Sequence, residues 1–330
     1  MSPDQGPDVL GTLTTARHHP IRLFLVAGLV PLVLLAACGS NSASTSTGDG
    51  ETPAEAEADR GELVISAIPD QEPAQLQRLY DTVADYLGER LDVDVTYVPV
   101  TDYPASVSLF RTGDLDLVWF GGLTGTQARL QTAGSRAIVQ RDIDEEFHSI
   151  FLASTAAGIE PFGDVDGLAR LAGRRFTFGS ESSTSGRLMP QYFLDRAGVG
   201  IDDFEDPAGF SGSHDATIDL VESGSFEAGV VNEQVWLDRL AAGEVDESKV
   251  VAIFRSPPYH DYHWLIGPSA IERFGERFVD EVTDALVQLD ASDPRQAEIL
   301  ELFGAERFIP TEDDNYAEIE QIGREAGLIN

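Results

Sequence analysis

Apolar residues recur along most of the chain with a period of two, then with helical spacing, then with a period of two again. "ELVISAIPD" (62–70) reads as a strand. "PAQLQRLYDTVADYLGERL" reads as a helix with Leu76, Leu79, Val83 and Leu87 on one face. "DVTYVPV" is a strand, "PASVSLFRTGD" a helix and "LDLVWF" (115–120) a buried strand. "TGTQARLQTAG" gives a short helix, and "AIVQ" and "HSIFLAST" two more strands. The second half repeats the rhythm with strand "RRFTFG", helices "RLMPQYFLDRAG" and "HDATIDLVESGSF", then "AGVVNEQVW" and "KVVAIFRS". Three helical pieces close the chain: "AIERFGERFVDEVTDALVQL", "RQAEILELFG" and "AEIEQIGREAG". This β-α alternation predicts two α/β lobes with largely parallel sheets and a C-terminal helical tail. The predicted bounds are 62–155 plus 260–330 for lobe 1 and 156–259 for lobe 2, with chain passes near 153–157 and 256–264.

The N-terminus breaks the pattern. Arg17 and Arg22 precede an apolar run from Leu23 to Ala37, which is shorter than the roughly 20 residues a spanning helix needs and fits a signal peptide. Leu35-Ala36-Ala37-Cys38 resembles a bacterial lipobox, which implies cleavage after residue 37 and a lipid on Cys38. An ordinary signal peptide with an incidental cysteine is the other reading. Cys38 is the only cysteine, so no disulfide is expected. Residues 38–61 are small, polar and acidic and read as a disordered tether, spanning about 25–30 Å root-mean-square. The membrane is expected to be met through the lipid anchor only, on the outer face of the cytoplasmic membrane.

Charge narrows the partners. The formal net charge is −35, and of 22 basic residues only Lys249 is lysine. Residues 1–37 hold two acids and two arginines, so their removal leaves the charge unchanged. Nucleic acid is excluded as a partner, because its phosphates demand basic surface.

Against that background "GSESSTSGR" (179–187) stands out, with short hydroxyls crowded between a strand and a helix. Helix N-termini at the carboxyl ends of strands offer free N–H groups and the positive end of the helix dipole. Ser183, Thr184 and Ser185 add hydroxyl donors, and Arg187 a possible fork to an oxyanion. Ser and Thr are also good N-caps, which leaves a plain cap and turn open. Two further junctions share the arrangement: "WFGGLTGT", with Gly121, Gly122 and Thr124, and "GFSGSHDATI", with Ser211, Ser213 and His214.

The set "TDY", "WFGG", "SSTSGRLMPQYFL", "GSHDATI", "VVNEQVW" and "SPPYHDYHW", in this order, resembles the phosphate/phosphite/phosphonate-binding receptors of ABC importers. "FGSESSTSGRLMPQYFLDRAGV" and "ELFGAERFIPTEDDNYAEIE" are similar to a subgroup labelled as selenate-importer receptors. The resemblance implies a type II periplasmic-binding-protein fold, two α/β lobes joined by a two-strand hinge. It further implies no catalysis, no cofactor, and an ABC permease and its ATPase as partners of a monomer. It places the oxyanion on Ser183, Thr184, Ser185 and His214, with Tyr103 closing the cup from the other lobe. Phe120 stands where relatives often carry tyrosine, so one hydroxyl is missing. Glu233 and Asp261 match positions where aminophosphonate binders read an ammonium; as solvated surface acids they would do nothing. Carboxylates accept only, so Glu233 or Asp261 on the oxyanion favours a protonated phosphonate, phosphite or phosphate over selenate or sulfate.

Three rivals remain at this stage. A serine hydrolase would use Ser183, His214 and Asp215, though no G-x-S-x-G elbow is present. His260 and His263 in "HDYH" could hold a metal, a weak signal on its own. A lipoprotein that feeds a sensor rather than an importer is the third. One prediction follows from charge alone. The field of −35 is screened beyond about 8–10 Å at physiological salt, so it acts on approach rather than in a closed cleft. Anion association measured by stopped flow should therefore speed up with added salt, and a fall would contradict this.

Overall fold

The computed structural model describes residues 61–330. The expectations for the signal peptide, for Cys38 and for all but the last residue of the tether lie outside the described residues. In chain order the described part begins β1 (Glu62–Ala67), α1 (Pro73–Leu91), β2 (Asp94–Tyr97), α2 (Tyr103–Thr112), β3 (Leu117–Phe120), α3 (Gly122–Gln131) and β4 (Arg136–Arg141). After a crossing segment come β5 (Ser149–Ser154), β6 (Phe176–Phe178), α4 (Met189–Arg196), β7 (Gly209–Phe210), α5 (His214–Glu222), β8 (Ala228–Asn232), α6 (Glu233–Ala242) and β9 (Val250–Arg255). The chain then returns through β10 (His263–Ile266), α7 (Pro268–Phe274), α8 (Glu276–Val287), α9 (Pro294–Phe303), β11 (Phe308–Pro310) and α10 (Ala317–Glu325).

Two sheets result, ordered β11-β4-β10-β3-β1-β2 and β7-β6-β8-β5-β9. This is the expected two-lobed α/β architecture. The β-α-β units give parallel pairs, β2 and β3 on either side of β1 and β7 and β8 on either side of β6. The sheets are nevertheless mixed. A strand that re-enters a lobe after crossing runs against its neighbours, as β10 does between β3 and β4, and β5 between β8 and β9.

The lobe boundary differs from the sequence expectation. The strand at 149–154 belongs to the second sheet, so the first crossing lies at 142–148 rather than 153–157. Every residue of "SIFLAS" is buried, which suits a central strand of either sheet, and its apolar middle, Ile150–Ala153, does not say which. The chain returns to the first sheet through 256–262. There the two segments form an antiparallel bridge, Phe147 N–H donating to the Tyr259 carbonyl at 2.9 Å and Tyr259 N–H to the Phe147 carbonyl at 3.0 Å, and Asp261 N–H donates to the Asp144 carbonyl at 3.2 Å.

The apolar pattern explains the packing. Helix α1 buries Leu76, Leu79, Val83 and Leu87 as its spacing requires, each side chain contributing about 1.5–3 kcal/mol. The long C-terminal helix splits at Gly275, whose φ of +91° breaks the run into α7 and α8. Beside the first crossing lies a buried ion pair. Arg141 donates to Asp144 at 2.7 and 2.8 Å and to the Phe303 carbonyl at 2.9 Å. Its guanidinium also lies over the rings of Trp119, Phe147 and Tyr262, 4.9–5.4 Å from their centroids. Removing the cation would strand a buried carboxylate. Arg141→Met should therefore lower unfolding free energy by about 3–5 kcal/mol in urea titration. A loss below about 1 kcal/mol would mean the pair is not held as described.

Candidate functional site

The serine-rich stretch becomes the wall of a cup. After β6, Gly179 N–H donates to the Gly186 carbonyl at 2.9 Å and folds the loop back on itself. Ser183 Oγ caps Gly186 N–H at 2.9 Å. The next turn, Thr184–Leu188, is wider than an α-helix: Leu188 N–H reaches the Ser183 carbonyl, five residues back, at 3.0 Å. Pro190 is tolerated because it falls in the first turn of α4. Ser183, Thr184 and Ser185 are all buried. A Cβ on Gly186 would sit 3.1 Å from His214 Cε1 and 3.2 Å from Gly179 Cα, so any side chain there would press the loop and the imidazole apart by a few tenths of an ångström.

The opposite wall comes from the first lobe. The chain leaves β3 through Gly121 and Gly122 and enters α3. Gly122 N–H donates to Asp261 Oδ1 at 2.9 Å, and Leu123 N–H donates across the seam to Thr184 Oγ1 at 2.9 Å. A Cβ on Gly121 would lie 3.1 Å from Thr184 Oγ1 and 3.2 Å from Asp261 Oδ1. Tyr103 opens α2 behind the Asp102 cap and is 1% exposed.

His214 opens α5 behind the Ser213 cap, and its ring is fully buried. Its Nδ1 accepts the Asn232 N–H at 3.3 Å. Burial pushes its pKa down to about 3, so the ring is neutral. With Nδ1 occupied as an acceptor, the single ring proton must sit on Nε2. His214 therefore offers an N–H donor with a fixed direction.

Four buried polar atoms have no partner here: Tyr103 Oη, Ser185 Oγ, His214 Nε2 and Asp261 Oδ2. They belong to both lobes and to one crossing segment. Each such group costs about 1–3 kcal/mol if left unsatisfied, and the segments that carry them touch: a Cβ on Gly121 would meet Thr184 and Asp261, and one on Gly186 would meet His214. Burial raises Asp261 to about 7, against the pull of the Gly122 N–H and the Thr184 hydroxyl. The cup thus presents three donors and one carboxyl that titrates near neutrality.

Several sequence expectations move. Glu233 does not join the four: its carboxylate is turned onto Arg255, which donates to Oε2 at 2.8 Å. Phe120 buries its ring in the core, edge-on to Phe110 at 5.6 Å, because strand alternation points it there. Arg187 lies over the rings of Phe178 (4.6 Å) and Phe210 (5.3 Å) and donates to Gln191. Asp215 accepts from Glu72 N–H at 3.0 Å and pairs with Arg239, while His214 Nδ1 faces Asn232; these three do not form a charge relay. His263 packs on Tyr316 at 4.0 Å, and no group of three metal-ligating side chains occurs among the described residues. Sequence reading missed Asp70, Asn232, Tyr259 and Tyr262, which surround the cup. Asp70 had a signal: it follows the carboxyl end of β1, where α/β sheets place ligands.

The family described as "ABC transporter, phosphonate, periplasmic substrate-binding protein" matches residues 65–316. The chain is 48% identical over 268 residues to the probable ABC transporter phosphite binding protein PhnD1 of Prochlorococcus marinus (strain MIT 9301), covering 81% of this chain and 90% of that one. The structure of that PhnD1 in complex with methylphosphonate has a TM-score of 0.80 at 47% identity, over 82% of this chain and all of that one. A binding-protein component of an ABC phosphonate transporter from Pseudomonas aeruginosa shares the fold, with a TM-score of 0.68 at 17% identity over 79% of this chain and 85% of that one.

The glycine at the seam yields a test. A branched side chain at residue 121 would push Thr184 and Asp261 apart and hold the lobes open without entering either core. Small-angle scattering with saturating methylphosphonate or phosphite should show the parent chain contracting and Gly121→Val staying at its ligand-free radius. Equal contraction of the two would contradict the geometry.

Proposed function

The chain belongs to the phosphonate-binding family of periplasmic substrate-binding proteins of ABC transporters, and from that premise we propose that its ligand is a small tetrahedral oxyanion that shares one proton with Asp261. The ligand class is phosphite or a small alkylphosphonate, with phosphate next. Tyr103, Ser183, Thr184, Ser185 and His214 hold its oxygens, Asp261 reads its proton, and the lobes close over it for delivery to the permease and ATPase. The lobes that move are 62–141 with 263–330 and 149–255, hinged at the two crossings. The protein works outside the cytoplasmic membrane as a monomer, held by lipid on Cys38 and the acidic tether.

One observation carries this reading. Three unpartnered donors and one unpartnered carboxyl oxygen are buried on neighbouring segments of the two lobes and the returning crossing. Three donors suit three oxygens. The carboxyl then faces either a protonated ligand oxygen, as an acceptor, or an unprotonated one, as a donor. Hydrogen bonds to a charged group contribute about 1.5–3 kcal/mol each, so four reach the roughly 8 kcal/mol of micromolar binding before closure costs are subtracted. The Arg255 pair on Glu233 removes one of two acids expected to read an ammonium, which favours simple phosphonates over aminophosphonates.

The sign of the pH dependence separates the candidates. Phosphite and methylphosphonate bring a proton of their own near neutrality. Selenate and sulfate bring none, so they enter only when Asp261 is itself protonated. Above its pKa of about 7 each pH unit should weaken selenate and sulfate by about tenfold. Calorimetric titration of the full-length protein at pH 6, 7, 8 and 9 checks this. Methylphosphonate or phosphite should bind at micromolar level or tighter with an affinity that peaks near pH 7 and falls on both sides, whereas selenate levels off below it. Asp261→Asn, which carries its own N–H, should flatten the selenate slope. Tight selenate binding that ignores pH would overturn the ligand class.

A further inference from the structure

Behind His214 four hydrogen bonds close into a ring. His214 N–H donates to the Asp70 carbonyl at 3.0 Å, and Asn232 N–H donates to His214 Nδ1 at 3.3 Å. Asn232 Nδ2 donates to the Tyr262 hydroxyl at 3.0 Å, and that hydroxyl donates to Asp70 Oδ2 at 2.8 Å. All four residues are buried.

The ring joins the two lobes. Asp70 follows β1 in the first sheet. Tyr262 ends the returning crossing but is fixed to the first lobe, stacked on Trp119 at 5.7 Å with Arg141 over its face. His214 and Asn232 belong to the second lobe, at the start of α5 and the end of β8. Two of the four bonds therefore cross the seam and must break when the lobes part: His214 N–H to Asp70, and Asn232 Nδ2 to Tyr262.

Donor and acceptor roles around the ring are forced. Asn232 Oδ1 is taken by Val235 N–H at 2.7 Å, so the end that faces Tyr262 is its NH₂. Tyr262 then accepts from Asn232 and must spend its own proton on Asp70. Asp70 must accept, and an ionised carboxylate does so; burial lifts its pKa only to about 6. The same Asn232 whose side chain touches Tyr262 holds His214 Nδ1 through its backbone, which keeps the ligand-facing proton on Nε2.

We propose that Asp70 and Tyr262 are positioning residues that latch the closed lobes and aim His214 Nε2–H at the ligand, so that they set how long the oxyanion is retained. This rests on the functional reading above. Neither residue is expected to touch the ligand.

The test is stopped-flow fluorescence on the full-length protein with methylphosphonate as the probe. Tyr262→Phe keeps the stack on Trp119 and removes both bonds of the hydroxyl. It should raise the dissociation rate about tenfold and leave the association rate within about twofold. Asp70→Asn keeps an oxygen acceptor and should raise dissociation by less. In a His214→Ala background, Tyr262→Phe should still raise dissociation through the lost seam bond to Asn232, but by less than in the parent, because the group it orients is gone. An unchanged dissociation rate in Tyr262→Phe would overturn the latch, and losses that add in full across the cycle would overturn the aiming of His214. If Tyr262→Phe does not fold, as judged by melting without ligand, the same cycle run with Asp70→Asn decides. If the parent binds neither methylphosphonate nor phosphite nor phosphate, the functional reading fails instead. The latch is then judged by hydrogen exchange at the His214 amide, which Tyr262→Phe should speed; equal exchange would overturn it.

Discussion

The hydrogen bond from Gly122 N–H to Asp261 Oδ1 orders both halves of the site. It ties the start of α3 to the returning crossing, and it leaves the other carboxyl oxygen buried and free. Because Gly121 has no side chain, Thr184 can come in from the far lobe and take the next amide, that of Leu123. A helix N-terminus that would otherwise be filled by its own cap is shared between a hinge carboxylate and a hydroxyl of the opposite lobe. The wide turn at Thr184–Leu188 and the glycine at 186 then bring Ser185 and His214 to the same place.

A net charge of −35 is compatible with an anion site because the site relies on oriented dipoles, not on charge balance. The cation of the serine-rich loop, Arg187, lies over the faces of two phenylalanines and donates to Gln191. Arg141 lies behind the cup, paired with Asp144 and held on three rings. On the proposed reading, what faces the ligand is a set of neutral donors, of which His214 has a fixed direction, and one carboxyl poised between charge states. Such a site reads the number and placement of protons on an oxyanion more sharply than its charge. That separates phosphorus oxyanions, which titrate near neutral pH, from selenate and sulfate, which do not.

Much of this was legible in the sequence, and for a physical reason. Cap residues and glycines announce strand-to-helix junctions locally, so Ser183, His214 and Gly121 could be placed at such junctions without a fold, whereas Tyr103 came only through the resemblance. What escaped depends on partners distant in sequence. The fully buried β5 suits either sheet, so its membership of the second lobe was hidden. Glu233 sits at a helix start like the others, but Arg255 on β9 turns its side chain away. Asp70 and Tyr262 matter through bonds spanning 192 residues, which no local pattern carries. Asp261 was found through resemblance, but its value as a proton reader comes from burial.

The unpartnered atoms also explain why such a trap should close only when loaded. With the lobes apart, Tyr103, Ser185, His214 and Asp261 would meet water and lose nothing. Closing over an empty cup strips that water from all four, at about 1–3 kcal/mol each. The seam bonds His214–Asp70, Asn232–Tyr262, Leu123–Thr184 and Glu72–Asp215 return only about 0.5–1.5 kcal/mol apiece, because water served those groups too. The cost is about twice the return, so empty closure is unfavourable. A ligand removes the first and leaves the second standing. Discrimination and closure are then one event: an oxyanion with the wrong proton count leaves an atom unpartnered, and the lobes gain correspondingly less by shutting.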